Sequence, residues 1–158
     1  MKFIAKVAVY LGAMLAFFVA PAQAAVQVNT SQDIALQTFI PCAVGGAGEI
    51  VDLSGPLHTL TSFTINGNNV SGVMHFQPQG IKGTGETTGD TYAATGVTSF
   101  SFQFTLVNGH VSQTIINRFD IIGPGPGNNL EVHETAHITF NANGTVTVFF
   151  DNFSETCK

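Results

Sequence analysis

The chain has no tryptophan, two cysteines and two tyrosines, and only 9 % of its 158 residues are Asp, Glu, Lys or Arg. An average soluble domain carries about 25 % charged residues. This shortage excludes a coiled coil or charged helical bundle, which draws on Ala, Glu, Lys, Leu and Arg. Basic residues are the scarcest, five against ten acids for a net charge of −5. A nucleic-acid binder needs a basic face, and none is available. What fills the gap is 17 Gly and 14 Phe, together with Thr, Asn and Ser. So many Phe residues exclude a disordered tail. The composition is that of a Thr/Asn/Gly-rich β protein.

Lys2 and Lys6 precede the apolar run Val7 to Ala20, and Pro21-Ala22-Gln23-Ala24 ends in a small-x-small pattern. This is the layout of a cleaved secretory signal peptide over residues 1–24. The run is shorter than the roughly 20 apolar residues of a membrane span. A secreted or periplasmic location is therefore expected, with no membrane attachment after cleavage. Residues 25–158 suit one domain. They keep Lys82, Arg118 and Lys158 as basic residues against all ten acids, which disfavours anionic lipid and nucleic acid as partners.

Cys42 and Cys157 are the only cysteines. Export puts them where a pair of thiols oxidises, so a Cys42–Cys157 disulfide is expected. It would close a loop of more than about 100 residues, for which chain entropy gives roughly 4–5 kcal/mol at most.

Residues 25–40 show no strong period and read as an N-terminal arm or an edge strand. Residues 41–158 read as strands punctuated by Gly/Asn turns. Gly48–Ser54 and Leu57–Ile65 are expected as two strands broken at Gly55-Pro56. Asn66-Gly67-Asn68-Asn69 is a turn that sets Ile65 opposite Val70, and Val70–Gln77 follows. A short strand is expected around Ile81–Gly85, then one long or two short strands over Thr91–Val107. Asn108-Gly109 predicts a two-residue hairpin with Val107 opposite His110. His110–Ile122 leads into Gly123-Pro124-Gly125-Pro126-Gly127, which must be loop. Leu130–Phe140 and Val146–Phe153 make the last hairpin, with Phe140 opposite Val146 and Ile138 opposite Val148.

Alternation sorts each hairpin into a wet and a dry face. Phe100, Phe102, Phe104, Val111, Ile115 and Phe119 share the dry side. The expected fold is therefore all-β, a single-domain antiparallel up-and-down meander of about eight strands. The meander order and the end-to-end disulfide favour a closed or nearly closed β-barrel over a two-sheet β-sandwich.

His133-Glu134-Thr135-Ala136-His137 matches the His-Glu-x-x-His pattern of zinc proteases, which chelates metal from two turns of a helix. Here strand periodicity flanks it, and residues four apart on a strand are separated by roughly 13 Å. No metal or other cofactor is expected. On a strand, His133, Thr135 and His137 face outward and Glu134 faces the dry side. Asn152 is expected opposite Glu134. With Ile121 opposite Leu130, Asn117 comes level with Glu134, and Gln113 joins the same row. Glu134, Asn117, Asn152 and Gln113, with Phe102, Phe104 and Phe150, are the candidate ligand-binding residues, a few polar groups in a Phe-lined interior.

Gly83-Thr84-Gly85 followed by Tyr92-Ala93-Ala94-Thr95-Gly96 resembles a Gly-rich signature of dirigent and allene-oxide-cyclase-like barrels. The resemblance spans about 15 residues, and its spacing differs from theirs. It implies an eight-stranded barrel around a hydrophobic pocket, and plant dirigent proteins can join their two ends by a disulfide. It places no catalytic residue on this chain. The usual signatures of two other small barrels, lipocalins and avidins, need a Trp that this chain lacks.

The leading expectation is a secreted, non-catalytic barrel that binds a small apolar or aromatic ligand in a Phe-lined interior. A structural or surface-interaction module is the alternative, with self-association through residues 25–40. An isomerase or cyclase using Glu134 as acid or base is the third.

Overall fold

The computed structural model describes residues 24–107 and 109–158. Except for Ala24, the expected signal peptide falls outside the described residues, as does Asn108. Eight strands are described: β1 (Ala24–Ile40), β2 (Glu49–Asn66), β3 (Asn69–Pro78), β4 (Lys82–Gly85), β5 (Thr91–Thr105), β6 (Val111–Ile122), β7 (Leu130–Phe140) and β8 (Val146–Cys157). A tight turn, Ala43–Gly46, sits between β1 and β2, with Val44 and Gly45 at positive φ. The strands form a single antiparallel sheet in the order β1-β2-β3-β5-β6-β7-β8, and β4 pairs with β2 and β5.

That side path has a simple geometry. β3 pairs with β2 over Leu57–Asn66, and β4 pairs with β2 over Val51–Ser54. Both also pair with β5. β3 and β4 therefore run one after the other along the same lane between β2 and β5. β2 is one continuous strand where the Gly55-Pro56 pair predicts a break. The two residues lie where β2 changes partner from β4 to β3. Gly55 adopts φ +139°, open to glycine but not to most residues. Pro56 has no N–H to donate, and its carbonyl accepts from the Gln79 N–H at 2.9 Å. A proline costs little where the neighbouring lane is interrupted.

The contiguous hydrophobic core lies at one end of the sheet, and Val70 is buried apart from it near the other. Ile40, Val51, Leu53, Ile81, Tyr92, Ile121 and Leu130 are buried in the core, with Ile34, Leu57 and Phe119 packed against them. Burying each large apolar side chain contributes about 1.5–3 kcal/mol. The Cys42–Cys157 disulfide joins the same end, with a Cα–Cα distance of 5.4 Å. It links Cys42, two residues beyond the Ile40 end of β1, to the last residue of β8, so the two outermost strands meet there and the sheet closes partway into a ring. Main-chain bonds from Gly127 N–H and Asn129 N–H to the Lys158 carbonyl, both 3.1 Å, fasten the C-terminus to the β6–β7 loop.

Pairing across the sheet matches the expected faces over most of its length. Ile65 lies opposite Val70, Ile121 opposite Leu130 and Asn117 opposite Glu134. The β5–β6 hairpin is longer than the two-residue turn expected at Asn108-Gly109. Phe104, not Leu106, is opposite Val111, because Leu106 N–H is taken by the Asn68 carbonyl of the neighbouring turn at 2.7 Å. The shift is by two residues and leaves every side chain on its expected face. Leu106 and Val107 are exposed in the loop.

The last hairpin departs by one residue, and that matters more. Phe140 is opposite Val146, but Thr139 is opposite Val148 and Ile138 opposite Phe149, not Val148. Thr147 is the extra residue of a β-bulge. Its hydroxyl donates to the Thr139 carbonyl at 3.3 Å. A one-residue slip exchanges the two faces of everything beyond it.

Candidate functional site

Above the core, the inner face carries a row of aromatic rings. β5 alternates, so Phe100, Phe102 and Phe104 point to the same side as the buried Ala94. Their rings follow one another along the strand, with centroids 6.1 Å apart for Phe100–Phe102 and 6.2 Å for Phe102–Phe104. Such spacing lies within the range of favourable aromatic pairs. Phe102 leans across β3 onto Gly72, its cross-strand partner. A Cβ at Gly72 would collide with the Phe102 ring and with the Ser62 carbonyl, so a residue without a side chain makes this placement possible. All three rings are half-buried.

Gln113 pairs with Phe102 on one side and Ile138 on the other, so it shares the aromatic face. Asn117 does too, and its Oδ1 accepts from the Thr98 hydroxyl at 2.7 Å. Glu134 lies directly across from Asn117 on the inner face.

Two expected members are elsewhere. The bulge at Thr147 puts Asn152 opposite Thr135 and Phe150 opposite His137, both on the outer face. Glu134 is instead opposite Phe153. Phe149, Asp151, Phe153 and Glu155 now share the inner side, which the regular register assigns to Val148, Phe150 and Asn152. Of the expected constellation, Glu134, Asn117, Gln113, Phe102 and Phe104 share one face, and Asn152 and Phe150 do not.

His133 and His137 stand on the outer side of β7 with separate partners. The His137 ring bonds Thr114 at 2.7 Å and Thr139 at 3.1 Å, and His133 bonds Glu131 at 3.0 Å. The zinc-protease pattern is thus carried on a strand, with its glutamate on the opposite face from its histidines.

A depression of about 750 Å³ crosses the outer face over β1, β2, β3, β5 and β6. Ser62, Thr64, Ser71, Ser101 and Gln103 line it, Phe63 and Phe102 also border it, and no titratable side chain does. It offers hydrogen bonds but no acid or base.

The most elaborate polar cluster was not anticipated. Glu49 is buried at the core end. Its carboxylate accepts from the Tyr92 hydroxyl at 2.6 Å, from the Thr88 hydroxyl at 3.0 Å, and from the Thr88 and Thr87 N–H groups at 3.2 and 3.3 Å. The Tyr92 hydrogen bond, supported by those from Thr88 and Thr87, holds the Glu49 carboxyl below its usual value. Burial, with the bond to Glu49, pushes the Tyr92 phenol well above its own. A carboxylate with four donors is a structural tie that fixes the β4–β5 turn, because a buried charge persists only when hydrogen-bonded. The sequence signal was the alternation Glu49, Val51, Leu53, which puts Glu49 on the same face as two core residues.

Compared with known protein families, curated proteins and solved structures, the chain matches none. The likeness to dirigent and allene-oxide-cyclase-like barrels therefore gains no support from these comparisons. Its Gly83-Thr84-Gly85 segment forms part of β4, and Gly83 pairs with Tyr92.

Proposed function

We propose that this is an exported, non-catalytic binding protein that takes a small apolar or aromatic ligand on its Phe-lined inner face. The observation that carries the reading is the position of the Phe100–Phe102–Phe104 row. The core is completed by other residues at one end of the sheet, so the three rings are not needed to fill it and stay half-buried. An apolar surface of this kind, bordered by a few polar groups, is the usual make-up of a ligand site. Gln113 and Asn117 supply hydrogen-bonding amides, and Glu134 a carboxylate, beside the rings. The leader-like sequence and the disulfide support an oxidising compartment outside the cytosol.

The test is titration with a neutral solvatochromic dye such as Nile red, with native mass spectrometry of the protein as purified. Saturable dye binding with a blue-shifted emission, weakened about tenfold or more in Phe102→Ser, is expected. Absence of saturable binding in the folded protein, or equal binding by Phe102→Ser, contradicts the proposal.

A further inference from the structure

β3 and β4 share one lane, so the described residues form seven lanes, and every pairing among them is antiparallel. An odd number of alternating lanes leaves its two edges pointing the same way. β1 and β8 both run from the open end towards the core end, where Cys42 and Cys157 join them. Direct closure would require a parallel pair between them, against the pattern of the rest of the sheet. One more strand placed between them, antiparallel to both, would make eight lanes that alternate throughout.

We propose that the seam between β1 and β8 is a docking slot for one extended strand of a partner protein, bearing Lys or Arg between apolar residues. Both edges carry the features such a strand would meet. An unpaired edge presents free N–H and C=O groups and is a template for strand addition. Every residue of β8 is exposed, and its inner side alternates Phe149, Asp151, Phe153 and Glu155, with the two rings 69 % and 54 % exposed. Glu134 is opposite Phe153. On the other side of the seam, β1 offers Val26 and Val28, both exposed, on its inner side and Asp33 on its outer side. Neither edge strand carries a Lys or Arg, and Lys158, just beyond β8, is paired with Glu131. The slot is apolar and acidic, and it is fixed at one end by the disulfide, which lowers the ordering cost of binding.

Charge selects the occupant. A second copy would bring its own edges, which are equally acidic. Its remaining cations are interior to the sheet, Lys82 on β4 and Arg118 on β6. A strand from a different protein, with cations to meet Asp151 and Glu155 and apolar side chains to meet Phe149 and Phe153, satisfies both features. This surface adjoins the ligand face at Glu134, which is opposite Phe153, while the Phe100–Phe104 row itself lies on β5, with β6 and β7 between it and β8.

The probe is a fluorescein-labelled twelve-residue peptide alternating Val and Lys, with Val/Glu and Val/Ser versions beside it, added to the disulfide-bonded protein. Preferential binding of the Val/Lys peptide is expected, with slowed amide exchange in β1 and β8. Binding should weaken about tenfold or more in Asp151→Lys/Glu155→Lys and on raising salt from 50 to 500 mM, the salt arm standing independently of any effect on folding. Three results overturn the proposal. They are equal or absent binding of all three peptides, protection confined to strands other than β1 and β8, and a dimer by light scattering whose interface protects β1 and β8 without peptide.

Discussion

The Tyr92 phenol donates a 2.6 Å hydrogen bond to the Glu49 carboxylate across the buried end of the sheet. The bond ties the first residue of β2 to β5 and, through Thr87 and Thr88, to the turn between β4 and β5. Glu49 is held below its ordinary value of 4.5 by Tyr92 first, then by Thr88 and Thr87. A carboxyl depressed on folding contributes stability that is fully present above its unfolded value and is lost as pH falls through its folded one. Thermal stability should therefore decline on acidification below about pH 4.5. Glu131, depressed chiefly by Lys158, adds to the same limb. Glu49→Gln should lower the melting temperature at pH 7 and flatten the decline between pH 5 and pH 3, as read by circular dichroism. An unchanged pH profile would contradict the role given to Glu49.

The disulfide closes a loop with a sequence separation of 115. Cys42→Ser/Cys157→Ser should lose about 2–4 kcal/mol in urea unfolding, as expected for a long loop. It should also speed amide exchange in β8, whose residues are all exposed and which, among the described residues, pairs with β7 alone. A loss below about 1 kcal/mol would mean that the strand ends are held by other contacts.

Gly72 lies beneath the Phe102 ring, and a Cβ there would meet both that ring and the Ser62 carbonyl. Gly72→Val should cost about 1–3 kcal/mol by overpacking and displace Phe102 from its neighbours. Chemical denaturation gives the first quantity and aromatic NMR shifts the second. A neutral substitution would show that the ring does not rest on β3.

Most of the sheet was legible from alternation and turn chemistry. Ile65 opposite Val70 followed from the Asn66–Asn69 turn, and Asn117 opposite Glu134 followed from a Gly/Pro loop that no strand can enter. The bulge was not legible. Val146-Thr147-Val148-Phe149-Phe150 has apolar residues at both odd and even positions, so alternation does not choose a face and one extra residue leaves no mark. Asn152 and Phe150 were misplaced for that reason. Gly55-Pro56 reads as a turn because the sequence does not show that the adjacent lane is interrupted there. The seven-lane count depends on β3 and β4 being collinear, which is a tertiary fact.

The bulge has a direct signature. Cross-strand proton NOEs should connect Ile138 with Phe149 and Thr135 with Asn152, the observed pairs. NOEs in a regular register, Ile138 with Val148 and Glu134 with Asn152, would return Asn152 and Phe150 to the inner face and contradict the site described.

The half-buried aromatic row is proposed to bind an apolar ligand. NMR of protein labelled at its phenylalanine rings, titrated with Nile red, tests this most directly. Saturable shifts at Phe100, Phe102 and Phe104, with little change at Phe119 beside the core, are expected. Shifts scattered over the exposed Phe149, Phe150 and Phe153 with none in the row, or no shifts at all, would contradict it.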